Sequence, residues 1–388
     1  GCALFAVGGY GRAELHPGSD IDILVLTQKS NPHREAVEAF LRDLFDLNVE
    51  VGHSVRDVET CVRECRSDIT IATALFERRF LCGDKALVAP LEKALAHPRV
   101  WPVEDFFVAK RDEQVARHRH YDHVDYKLEP NIKTSPGGLR DIQTTLWVCS
   151  RRYGTTSIDQ LVTLNVLSST EARWLKDGRR FLWWVRYGLH SLAGRKEDQL
   201  HFARQRELSH RLGFMDTESK SAVELFMQHY YRHVMALSDV NDIVLQHFQE
   251  DVTARKKPSL ERLNDRFRLI NRRIDITELD VFLRNPSAML EMFFLMAQRE
   301  ENIRVRVRTI RALREAVHLI DDDFRCDPEN CRLFLNILKS PYSVVSQLTL
   351  MRRYGVLGRY LPAFGDIVGQ MQHDLFHIYT VDAHTMTV

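Results

Sequence analysis

A glycine pair sits directly between two apolar runs, and the second of those runs opens on paired acids. Ala3-Leu4-Phe5-Ala6-Val7 reads as a buried strand, Gly8-Gly9-Tyr10-Gly11 as a turn, and Asp20-Ile21-Asp22-Ile23-Leu24-Val25-Leu26 as a second strand. Glycines lack a Cβ and accept φ > 0, so a pair of them after a strand brings backbone N–H groups close to an anion. This constrains the head of the chain to a strand–turn–strand unit built around a phosphate-sized cradle. It is not a P-loop, because no Gly-Lys-Ser/Thr follows, and Glu14 stands where a dinucleotide fingerprint needs its third glycine. Asp20 and Asp22 are two apart on a strand and so project from one face. Two hard oxygen ligands beside a phosphate turn suit Mg²⁺, with Mn²⁺ as a substitute.

Periodicity organises the rest. Val37, Phe40, Leu41, Leu44 and Phe45 form the apolar stripe of a helix lying on a sheet, and a third strand is expected at 48–51. Beyond about residue 66 the pattern is helical, punctuated by Gly/Pro signals such as Ser135-Pro136-Gly137-Gly138, Lys257-Pro258 and Ser340-Pro341. The expected class is α+β: a small α/β head followed by a large all-α region.

Composition narrows the function classes. The 388 residues carry 54 Lys+Arg against 53 Asp+Glu, a net charge of +1 that argues against DNA or RNA as the main partner. The longest nearly uninterrupted apolar stretch, Met289 to Ala297, is far shorter than the roughly 18 residues that span a bilayer, so no membrane role is expected. Seven scattered cysteines without a C-x-x-C pair or a signal peptide point to a reducing cytoplasm. Gly1 lies close to the first strand and Val388 follows no polar tail, so the chain is expected to be a fragment of something longer, truncated at the head.

On its own, Asp-x-Asp is also the mark of an ordinary strand entry. Together with the glycine turn, the intervening loop and the apolar run after Asp22, the segment resembles the nucleotidyltransferase superfamily typified by DNA polymerase beta. Further stretches resemble one family within it, the bifunctional uridylyltransferase/uridylyl-removing enzymes of the nitrogen-regulatory PII protein. They are GGYGRAELHPGSDIDILVL, EVGHSVR (Glu50 to Arg56), LEPNIKTSPGGLRDIQ (Leu128 to Gln143), QRELSHRLGF (Gln205 to Phe214), VELFMQHYYR (Val223 to Arg232) and INRRIDIT with DVFLRNPSAML (Ile270 to Leu290). The last is FGDIVGQMQHDLFHIYTVDAHT, from Phe364 to Thr385.

The resemblance implies a polymerase beta-like head over 1–100, a helical transferase-associated domain over 101–255, a helical linker over 256–370 and the start of an HD phosphohydrolase domain over 371–388. It implies UMP transfer from UTP to a tyrosine hydroxyl of PII with release of pyrophosphate, on two metal ions held by three carboxylates. Asp20 and Asp22 are two of them. The third is Glu50, whose flanking valines suit a strand, with Asp46 as the alternative. Gly8 and Gly9 would cradle the triphosphate, Arg12 and Lys133 contact it, Ser19 orient Asp20, and the Gly137-Gly138 turn offer a second anion-binding helix start. Each has a structural counterpart: Arg12 could pair with Glu14, and the second glycine pair could simply start a helix.

The histidines invite metal readings that the pattern does not favour. His118, His120 and His123 alternate with charges and read as a solvated or substrate-facing surface. His373, Asp374 and His377 mimic a zinc-protease spacing without a third ligand. His384 resembles the first histidine of an HD site whose His-Asp doublet is not in the sequence. Uridylyl removal and the glutamine response are therefore expected only in full-length relatives. Competing readings are a nucleotidyltransferase with another base or acceptor, such as a protein adenylyltransferase, and a non-catalytic nucleotide-binding module.

Overall fold

The computed structural model describes residues 1–388 except 31–32, 48, 122–127, 253–257, 301–302, 372–379 and 387–388. His123, His373, Asp374 and His377 lie outside the described residues. The chain divides into two compact units. The first comprises Gly1–His123, Asn131–Leu161 and Arg179–Arg204. The second holds Val124–Pro130, Val162–Gly178 and Gln205–Val388.

The first unit begins with β1 (Cys2–Ala6), the short α1 (Gly8–Gly11), β2 (Ile21–Thr27), α2 (Arg34–Asp46) and β3 (Val51–Arg56). It continues through α3 (Val58–Ser67), α4 (Ile69–Phe76), β4 (Arg79–Gly83), α5 (Val88–Ala96), α6 (Val103–Arg119), α7 (Leu139–Tyr153) and the part of α8 (Ser169–Ala193) from Arg179 onward. The sheet order is β3-β2-β1-β4, with β1 antiparallel to both neighbours and β2 parallel to β3.

The alternation of β2 decides where the acids go. Leu24 and Leu26 pack with Cys61, Cys65, Ala72 and Leu75 of α3 and α4, while Ile23 and Val25 pack with Val37 and Leu41 of α2 on the other side. Each such fully buried aliphatic contributes roughly 1.5–3 kcal/mol. Asp20 and Asp22 share the parity of Leu24 and Leu26, so the same pleat that buries the leucines carries both carboxylates to the α3/α4 side. Asp57 and Asp68 cap α3 and α4 by accepting from Thr60 N and from Thr70 and Ile71 N, which fixes where those helices start. β3 starts at Val51 rather than at 48, and β4 is an edge strand that the helical reading beyond 66 does not anticipate.

The second unit also departs from an all-helical body. After α9 (Ala222–Val252) comes a small sheet of β5 (Leu260–Arg262), β6 (Phe267–Ile270), β7 (Arg273–Ile276) and β8 (Arg304–Val305), in that order. Ile270 pairs with Arg273 across Asn271 and Arg272, both at positive φ, the geometry of a two-residue hairpin turn. Four strands of two to four residues are too short to show a clear period. Phe267, Leu269, Ile274 and Ile276 pack on α10 (Ala288–Ala297) and α11 (Val307–Ala316) to form this unit's core. His384 lies in the short helix Val381–Thr385. Among the described residues, no helix is long and apolar enough to cross a membrane.

Candidate active site

The glycine pair and the acids meet at one end of β2, in the wall of a cavity of about 460 Å³. Gly8 sits at φ +55, and a Cβ there would come 3.3 Å from Asp22 Oδ2. β3 contributes Gly52 in register with Asp22, and a Cβ on it would lie 2.3 Å from Asp22 Oδ1. Glycine is thus needed on both flanks of one carboxylate. No acceptor among the described residues takes the N–H groups of Gly8 and Gly9, which open on the cavity.

Cations face the acids. Lys196 Nζ lies 2.7 Å from both oxygens of Asp20. Burial alone would raise the Asp20 carboxyl, but Lys196, with Lys133 nearby, holds it below its ordinary value. Asp22 moves the other way, raised by burial and by the Asp20 charge. Lys133 and Arg140 line the cavity and make no ion pair among the described residues; burial, then neighbouring cations or, for Arg140, burial first, lowers both. Excess positive charge beside an anion-open turn suits an anionic ligand.

The cations are placed by loops that the acids tie together. Asp141, fully buried, accepts from Gly137 N at 2.6 Å, Arg117 Nη2 at 2.7 Å and His118 Nε2 at 3.0 Å. Gly138 N donates to Ser135 O, Leu139 N to Ile132 O and Arg140 N to Lys133 O. The expected second anion site at Gly137-Gly138 is therefore corrected: its N–H groups are spent inside the loop, and the turn serves to set Lys133 and Arg140. His118 is likewise an anchor for Asp141 rather than a solvated residue. On the other side, Asp198 accepts from Arg186 at 2.6 Å and His190 at 3.2 Å, which hold it low despite burial. His190 Nδ1 accepts from Gly18 N, leaving Nε2–H to donate to Asp198.

Arg12 lines the cavity, but its guanidinium is engaged by Glu14 at 2.8 Å and Glu77 at 2.5 Å, and Glu77 also accepts from Trp147 Nε1. The Ser19 hydroxyl accepts from His16 N and so closes the turn before Asp20 instead of orienting the carboxylate. Glu50 is exposed and not among the cavity-lining residues, yet Ile21 N donates to Glu50 O, putting it beside Asp20 in the parallel register. Asp46 ends α2, away from that register. Among the described residues, no three carboxylate, histidine or cysteine side chains gather closely enough to hold a metal. The Asp20/Asp22 pair still fits a divalent ion chemically: two hard carboxylates on one face, with Asp22 raised by burial and by the Asp20 charge.

Sequence reasoning missed Lys196, Arg140 and Gln143 as cavity residues. Arg140 and Gln143 lie inside the quoted LEPNIKTSPGGLRDIQ stretch and one helical turn apart, a signal that was available. Lys196 is 176 residues from Asp20 and carries none.

Comparison with known proteins gives three family matches along the chain. A nucleotidyltransferase domain covers residues 2–79, a GlnD PII-uridylyltransferase domain 105–245, and the third domain of uridylyltransferase GlnD 267–360. The chain is 50% identical over its whole length to a bifunctional uridylyltransferase/uridylyl-removing enzyme of Pseudomonas aeruginosa (strain LESB58), covering 43% of that protein. It is 51% identical to the same-named enzyme of Pseudomonas putida (strain GB-1) and 50% to that of Pseudomonas fluorescens (strain SBW25), each over its full length and 43% of theirs. It therefore spans less than half the length of these relatives.

Proposed function

The chain belongs to the GlnD uridylyltransferase family, and from that premise we propose that it transfers UMP from UTP to a tyrosine hydroxyl of a PII protein, releasing pyrophosphate. The observation that carries this reading is the cavity of the first unit, where an anion-open glycine pair, two acids on one face and two unpaired cations converge. In this reading Gly8 and Gly9 receive the triphosphate through their N–H groups, and Lys133 and Arg140 neutralise it. Lys196 exchanges Asp20 for phosphate oxygens when nucleotide enters. The acceptor hydroxyl gives its proton to solvent and its oxygen bonds to the α-phosphorus, as the bond from that phosphorus to the bridging oxygen breaks and pyrophosphate leaves.

Asp20 and Asp22 would hold Mg²⁺ or Mn²⁺, with Glu50 as the third carboxylate, favoured over Asp46 by its place beside Asp20. A divalent ion held there would lower the pKa of the phenol, about 10 when free, and would balance the charge of the departing pyrophosphate. Arg12 and Ser19 support the turn that carries these groups. Uridylyl removal through an HD domain, and a response to glutamine, we assign to the parts of the relatives outside the match, and the working compartment to the cytoplasm.

Incubation with α-labelled UTP, Mg²⁺ and a PII protein tests this. Label is expected on PII with the unaltered chain and reduced by at least about 10³-fold with Asp20→Asn/Asp22→Asn. Transfer of AMP in preference to UMP, or equal transfer by the double variant, contradicts it.

A further inference from the structure

We propose that the groove on the β3 side of Asp22 seats the side chain of the acceptor tyrosine. Asp22 stands between two cavities of the first unit: the one that Gly8 and Gly9 line, and a second of about 340 Å³ formed by β2, β3 and α4. Asp22, Thr70 and Ala74 line both. The two carboxylate oxygens divide between them. Oδ2 lies on the side of Gly8, 3.3 Å from where a Cβ there would sit, and of the two cavities Gly8 lines the first. Oδ1 lies on the side of Gly52, 2.3 Å from a Cβ there, and Gly52 lines the second.

This assignment rests on the proposed transfer from a nucleotide held at the first glycine pair. In-line displacement puts the attacking and leaving oxygens on opposite sides of the phosphorus. With the triphosphate on Gly8 and Gly9, and pyrophosphate leaving toward Lys133 and Arg140, the attacking oxygen has to come from across the acids, where the groove opens. The chemistry of the groove suits a phenol. Val7, Ile71 and Leu75 give it apolar walls, and Gly52, Ser54 and Ala74 leave width for a ring. The pleat of β3 sets this up: Gly52 and Ser54 pair with Asp22 and Leu24 and share their face, while His53 turns its ring to Phe45 on the other. Arg56, the one lysine or arginine lining the groove, is held by Glu64 at 2.8 Å, so the groove lacks the free cations of the first cavity. A uracil ring brings three polar edge atoms, most of which such walls would leave unpaired; a phenol brings one, at the end that reaches Asp22.

Ser54 lines the groove and not the first cavity, so blocking it separates acceptor from nucleotide. With α-labelled UTP, Mg²⁺ and a PII protein, Ser54→Phe is expected to lower kcat/KM for PII about 10- to 100-fold, while UTP affinity by titration calorimetry stays within about 3-fold. The same block is applied after folding by treating Ser54→Cys with benzyl methanethiosulfonate. Labelling of PII is expected to fall by a similar factor and to return on reduction; the treated unaltered chain reports any effect of the exposed Cys82 and Cys326. PII labelling as efficient in the blocked forms as in the unaltered chain overturns the assignment and leaves the transfer reading standing. A matching loss of UTP affinity also overturns it, by making the groove the seat of the base. Absence of PII labelling by an unaltered chain that binds UTP overturns the transfer reading and the assignment together.

Discussion

Two glycine pairs in the first unit look alike on paper and are used in opposite ways. Gly8-Gly9 follows a strand and opens a single helical turn, with N–H groups that no acceptor among the described residues takes. Gly137-Gly138 precedes the fifteen-residue α7, the better helix start by length, yet Asp141, Ser135, Ile132 and Lys133 take the N–H groups from Gly137 through Arg140. A glycine pair before a helix is thus not an anion site by itself. What decides is whether the preceding loop folds back to offer acceptors. The first loop leaves along β1 and cannot; the second curls under its own helix and does. In the proposed function the first pair receives the triphosphate and the second sets Lys133 and Arg140 beside it.

That contrast is broken most forcefully at the second loop's centre. Asp141→Asn leaves Arg117 and His118 without their buried carboxylate, and the first unit is expected to lose about 3–5 kcal/mol, read as a lowered denaturation midpoint. A loss below about 1 kcal/mol would mean that the loop is not held this way.

The glycines themselves separate binding from support. Gly8→Ala places a methyl against Asp22 at φ +55 and is expected to weaken tripolyphosphate binding by roughly 10-fold or more, from strain of about 1–2 kcal/mol at the cradle. Gly137→Ala, at φ +71, is expected to cost about 1 kcal/mol of stability while tripolyphosphate affinity stays within about 3-fold. Equal effects on affinity would erase the distinction.

Acid sharpens it more gently. Burial, with the Arg186 charge, pushes the His16 imidazole down to about 4. A depressed folded pKa means the unfolded chain binds more protons below 6.5, so stability at the first loop is complete above pH 6.5 and lost as pH falls toward 4. Asp141 is buried but held low by His118 and Arg117, so the second loop keeps its stability until pH falls below the ordinary value of 3.8. Hydrogen exchange between pH 6.5 and 4.5, corrected for intrinsic rates, is expected to rise in residues 13–19 and not in 131–141. The reverse order would contradict both assignments.

Much of the head was legible because its signals are local. Strand, turn and strand follow one another within 27 residues, and the Asp20/Asp22 parity follows from the pleat alone. Lys133 was legible through its motif. The role of Gly137-Gly138 was not, since the acceptors that consume its N–H groups come from the fold-back of 131–135, a tertiary matter. Nor was Lys196 on Asp20, which depends on the Asp198 cluster anchoring a loop far along the chain. The second sheet was hidden by strands too short for periodicity, although Asn271 in its hairpin is the residue type that favours positive φ.

The most direct measurement is hydrogen exchange of the two glycine segments with and without UTP and Mg²⁺. Protection is expected to rise in residues 7–12, where the unengaged Gly8 and Gly9 N–H groups gain phosphate acceptors, and to stay level in 137–141, where the N–H groups are already engaged. New protection at 137–141 with none at 7–12 would contradict the assignment of the triphosphate to the first glycine pair.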